Sequence, residues 1–77
     1  MDHKLIAAQL RDSREAVGMQ YACGNINSTE LVVGRTALDD VMIRLAHRIK
    51  ESDPEFNINQ FYRNSGLSDY SISLLNQ

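Results

Sequence analysis

Leu31, Gly34, Leu38, Val41, Met42, Leu45 and Ile49 form one continuous stripe at helical spacing. A helix of that length is the strongest constraint on the chain, because the remaining residues must arrange themselves to cover it. Asn27-Ser-Thr-Glu30 just ahead of the stripe has the spacing of a capping box, with Asn in the place usually held by Ser or Thr. Pro54 restricts the residue before it, so the helix must end near Ser52 or Asp53. The β-branched pair Val32-Val33 is the one place for a strand, and "ELVV" is too short and poorly partnered to make a sheet. Arg35 and Asp39, and Asp40 and Arg44, stand four apart and are expected to pair across one turn. Arg44, His47, Arg48 and Lys50 crowd the end where the helix dipole favours positive charge.

A second stripe precedes it. Ile6, Leu10, Ser13, Val17 and Tyr21 share one helical face, flanked by Leu5, Ala7 and Ala16. Asp2 is placed to cap this helix and Gly24 to stop it, while Gly18 is a point of weakness. About five residues join the two long helices, which predicts an antiparallel hairpin. After Pro54, Asn57-x-x-Gln60 repeats the capping-box spacing and opens a short helix from about Ile58 to Ser65. Phe56 and Phe61 flank that cap in the positions of a hydrophobic staple. Gly66 ends the helix, and Ser68 caps a last one carrying Tyr70, Ile72, Leu74 and Leu75. The expected fold is all-α, a single helical domain over 1–77 with two long antiparallel helices followed by two short C-terminal helices.

The 77 residues support only a small core, and the single Cys23 provides no disulfide. His3 and His47 stand far apart, and no set of Cys and His has zinc spacing. Oligomerisation is the remaining source of stability for a chain of this kind. The net charge of −2 comes from eight basic and ten acidic residues mixed along the chain, without the basic excess typical of nucleic-acid binders. No apolar run approaches the ~20 residues of a membrane span. The N-terminal residues show no signal-peptide core. The expectation is a cytoplasmic protein, so the glycosylation pattern at Asn27-Ser28-Thr29 is read as chance.

No catalytic set emerges. Cys23 with His3 or His47 lacks a third orienting residue. Asp39 and Asp40 are adjacent on a helix and point in different directions, and the four glycines are too scattered to cradle a phosphate. No metal or cofactor is expected. Arg44 and Arg48, one turn apart, are the best candidates for contact with an anion or a partner's carboxylates. His47, Lys50 and Arg35 are the further candidates. Val41, Met42, Leu45 and Ile49 widen the central stripe enough to serve both the core and a homodimer interface.

Three resemblances bear on function. "ESDPEFNINQFYRNSGL" resembles the C-terminal end of many small phage and prophage proteins of unknown function, through Asp53, Phe56, Asn57, Phe61, Ser65 and Gly66. "GLSDYSIS" resembles the turn and recognition helix of helix-turn-helix repressors. In that motif Tyr62 stands where Ala or Gly is wanted and Ser65 where an apolar residue is wanted. No Arg or Lys follows Arg63. "VVGRTALDDVMIRLAHRI" is similar to one helix of phage proteins that sequester signalling cyclic nucleotides, with Arg35 and Thr36 at the matched positions. The first resemblance implies no chemistry, and the expected role is a small non-enzymatic interaction protein, phage or prophage derived, that binds a host protein surface. The second implies a DNA-binding regulator using residues 58–75, and the third a nucleotide-binding sponge.

Overall fold

The computed structural model describes residues 2–77, in which four α-helices form and no strand occurs. They are α1 (His3–Ala22), α2 (Ser28–Ser52), α3 (Ile58–Asn64) and α4 (Asp69–Leu75). Local signals set their ends. Asp2 accepts from the amides of Lys4 and Leu5. Asn27 and Glu30 close a complete capping box, each side chain accepting from the other's backbone N–H at 2.8 and 3.0 Å. The box at Asn57 is only half formed. Asn57 Oδ1 accepts from the amide of Gln60, but the Gln60 side chain turns away and donates to Asn64. Ser68 caps α4 through the amide of Ser71. α1 runs unbroken through Gly18, and Val32-Val33 is helical.

α1 packs on α2, α3 lies against both, and α4 packs on α3. Early residues of α1 meet late residues of α2. Val17 lies against Gly34, Arg14 pairs with Asp39, and His3 shares a groove with Leu45 and Ile49. A Cβ on Gly34 would stand 3.2 Å from Val17, so a glycine there lets the two helices come close.

The core is a single cluster of Ala7, Met42, Ala46, Phe56, Phe61 and Tyr62, completed by Ile72. Ala7 and Ala46 are fully buried. Their small side chains leave room for the aromatic residues arriving from the 53–57 loop and α3. Phe56 and Phe61 meet edge to face at 5.5 Å, the staple expected from sequence, and His3 adds its ring to Phe56 at 4.9 Å. Tyr21, expected on the inner stripe of α1, is exposed. It lies near the loop end of the two long helices, away from the core cluster, with Met19, Val32 and Val33 also exposed nearby.

One of the two sequence-derived ion pairs is rearranged. Asp39 pairs with Arg14 across the helices rather than with Arg35 along α2, because Arg14 points inward beneath Gly66 whereas Arg35 leans over Gly18. Asp40 and Arg44 pair as expected, at 3.1 Å. Replacing Asp39 with Asn should cost roughly 1 kcal/mol in urea denaturation, since it leaves half-buried Arg14 without its carboxylate. Replacing Arg35 with Met should change stability by less than about 0.5 kcal/mol. Gly66 has φ +100°, and an added Cβ would press on the Arg14 side chain at 3.4 Å. Gly66→Ala is therefore expected to lower the thermal midpoint, with a loss of at least about 1 kcal/mol.

Candidate protein-binding surface

The structure scatters the five cationic candidates. Arg44 and Arg48 are both exposed on the solvent side of α2, one turn apart. Arg44 is occupied by Asp40, and Arg48 makes no ion pair among the described residues. His47 is exposed on the same helix. Arg35 and Thr36 are exposed near the other end of α2. Lys50 has a structural task instead of an anion-binding one. Its Nζ donates to the carbonyls of Pro54 at 2.6 Å and Phe56 at 2.9 Å, closing the loop that delivers Phe56 to the core. The ammonium is consumed by the orphan carbonyls that follow the helix, and sequence spacing could not reveal it. Lys50→Ala should destabilise by about 1–3 kcal/mol in chemical denaturation, while Arg48→Ala should be nearly neutral.

The four apolar interface candidates also divide. Met42 is in the core at 1% exposure, and Ile49 packs against the core. Leu45 is half-buried outside the core cluster, and Val41 is 47% exposed. The wide stripe of α2 thus serves two surfaces. Only Val41 and Leu45 belong to the outer one.

An apolar-lined groove lies between α2 and α4, which no sequence signal indicated. Asp39, Met42 and Ile43 of α2 line it together with Leu67 and with Ser71, Leu74 and Leu75 of α4. Its volume of about 180 Å³ is below the ~300–1,000 Å³ typical of small-molecule sites, and it suits one or two inserted side chains. Tyr70 and Leu74 stand one turn apart on α4, 74% and 49% exposed, with Leu74 in the groove lining and Tyr70 outside it. Leu75 borders the groove at 41% exposure. Exposed aromatic and aliphatic residues beside an apolar groove are the usual anchors of protein recognition.

The α3–turn–α4 unit carries the helix-turn-helix resemblance, and its inner positions are filled in an unusual way. Phe61 and Ile72 are buried, as the motif requires. Tyr62, where the motif wants a small residue, is buried at 2% and joins the core. Ser65, where it wants an apolar one, is fully buried and donates its hydroxyl to the Phe61 carbonyl at 2.8 Å. Leu75, at a position that the motif uses to pack its two helices together, is 41% exposed. Arg63 pairs with Asp69 at 3.1 Å, which ties the segment's one basic side chain to an acid at the start of α4.

Two basic residues distant in sequence do reach this unit. Lys4 and Arg11 of α1 line a groove with Gln60 and Asn64 of α3. Cys23 is exposed, and no group of metal-ligating side chains forms among the described residues. Among the described residues no helix is long and apolar enough to cross a membrane.

No protein family, characterised protein or solved structure matches this chain.

Burial pushes the Tyr62 hydroxyl above its ordinary range. A raised folded-state value means that neutral tyrosine is favoured in the fold. This contribution is intact below the unfolded value of about 10 and is lost as pH rises through the folded value. Thermal melts should fall above pH ~10, and Tyr62→Phe should flatten that alkaline decline.

Proposed function

We propose that this chain is a small non-enzymatic interaction protein of phage or prophage origin, which acts by occupying a host protein surface in the host cytoplasm. In this reading α1 and α2 form an antiparallel scaffold, and the two short helices complete a docking groove along α2. The observation that carries it is the apolar-lined groove between α2 and α4, with Leu74 exposed in its lining and Tyr70 exposed one turn away. A helix edge or aromatic side chain of a partner fits such a groove, with Tyr70 as its anchor. On the exposed side of α2, Arg48 makes no ion pair among the described residues and is the cation offered to an acidic partner, with Arg44, paired to Asp40, one turn away.

A DNA-binding regulator using residues 58–75 is the second reading. It is favoured by the helix–turn–helix spacing about Gly66 and by Lys4 and Arg11 beside α3. The absence of cations on α4 and the Arg63–Asp69 pair weigh against it. Affinity capture from a bacterial host, with mass spectrometry of what is retained, separates the two. The protein reading expects one specific host protein, whose recovery falls at least about tenfold with Tyr70→Ala and Leu74→Ala combined, at unchanged helix content. The regulator reading expects instead DNA binding that weakens steeply with salt, through release of counterions from the phosphates. Steep salt dependence together with no effect of the Tyr70 and Leu74 changes would reverse the preference.

A further inference from the structure

We propose that the cleft between α1 and α3 binds an acidic segment of a partner protein, held in extended conformation with an apolar side chain at one end. The cleft shares no lining residue with the α2–α4 groove. It stands or falls without that groove.

The cleft has two adjoining parts. At one end His3, Phe56 and Phe61 frame a hollow of about 160 Å³, which suits a single apolar side chain. Lys4, Gln60 and Asn64 line that hollow and also the more open groove, of about 440 Å³, that continues past Ala8 to Arg11. No Asp or Glu lines either part. In a chain with ten acidic and eight basic residues, that is an uneven distribution, and it is complementary to a ligand carrying negative charge.

The helical register places the cations. Lys4, Ala8 and Arg11 stand at i, i+4 and i+7, so they share one side of α1 with the small Ala8 between the two charges. Their backbone positions lie about 10 Å apart along the helix. Lys4 makes no ion pair among the described residues. Arg11 has only a 3.9 Å contact with its neighbour Asp12, between two exposed side chains. The Arg11 stem is braced, because its Cγ lies 3.5 Å from where a Cβ on Gly66 would stand. A side chain already held by the turn after α3 loses less freedom when it binds.

The α3 wall is made of amides. Gln60 Nε2 donates to Asn64 Oδ1 at 2.9 Å. Asn64 Nδ2 remains as a donor, and Gln60 Oε1 remains as an acceptor with only a 3.5 Å contact from Arg63. One helical turn, about 6 Å, separates the two residues. That is close to the ~6.6 Å repeat of an extended chain. An extended segment has unpaired N–H and C=O groups to offer such a wall, whereas a helix has already used its own. A donor beside an acceptor matches a peptide unit, while a phosphate backbone offers acceptors alone.

Fluorescence anisotropy with the full chain tests the assignment. The probe is a short labelled peptide in which leucine is followed by alternating glutamate and threonine, and its control has glutamine for glutamate. The acidic probe should bind at least about tenfold more tightly than the control. Lys4→Gln combined with Arg11→Gln should remove that difference at unchanged helical circular dichroism, since both positions are exposed and Gln favours helix. Gln60→Ala combined with Asn64→Ala should weaken both probes by about threefold to tenfold. Lys4→Glu combined with Arg11→Glu should transfer the preference to a probe with lysine for glutamate. Tyr70→Ala combined with Leu74→Ala should change nothing. Equal binding of the acidic and control probes by the wild type overturns the proposal. So does an acidic preference that survives neutralisation of both cations, or one that is lost with the Tyr70 and Leu74 changes. Tighter binding of a labelled oligothymidine than of the acidic probe overturns it as well, in favour of a nucleic-acid site. Should the doubly neutralised chain lose helix, Lys4→Gln alone, at the exposed start of α1, is judged by the same criteria.

Discussion

The close approach of α1 and α2 is the constraint on which everything else in this chain depends. It is possible because the inner positions are small: Ala7 and Ala46 are fully buried, and Gly34 meets Val17. Small residues at a helix contact would leave a thin core if the two helices were alone. Here the aromatic residues of the C-terminal third fill the remaining space. Phe56, Phe61 and Tyr62 come in from the side, and Met42, an unbranched side chain suited to irregular gaps, packs among them. Large-to-small truncation at any of these aromatic positions would leave a cavity in this small core.

The polar contacts serve the same end. Lys50 holds the carbonyls of Pro54 and Phe56, so the loop after α2 turns back and presents Phe56 inward. Arg14 spans from α1 to Asp39, and its aliphatic stem lies under Gly66, where α3 gives way to the turn. One Arg thus touches the long-helix contact and the α3–α4 turn together. Its Nε is buried without a partner, so the site is under-satisfied as well as central. Ser65 resolves a similar problem by returning its hydroxyl to the backbone of its own helix.

An apolar groove remains open on this scaffold, between α2 and α4. It is narrow, and Leu74 and Leu75 in its lining are exposed. The seven-residue repeat of Leu31, Leu38 and Leu45 is instead spent on the contact between the two long helices, where Gly34 meets Val17 and Leu45 lies beside His3.

The helix ends and the helical class were legible in the sequence because they rest on local chemistry. Asp2, Asn27, Asn57 and Ser68 cap by reaching amides two or three residues away, Gly24 and Gly66 take positive φ, and Pro54 blocks continuation of α2. The Phe56–Phe61 staple was legible for the same reason, as were the Asp40–Arg44 pair and the division of the chain into two long and two short elements. Whatever required knowing which helix lies beside which was not. Arg35 was the nearest cation to Asp39 along the sequence, yet Arg14, 25 residues earlier, holds it. Lys50 resembled one more member of a basic cluster until the loop folded back onto it. Met42 and Val41 are adjacent in one apolar stripe, yet one is core and the other surface, because α3 and α4 cover only one side of α2. Period alone shows that a helix has an apolar side. How much of that side is covered, and by what, depends on packing between segments distant in the chain, and only the tertiary structure decides it.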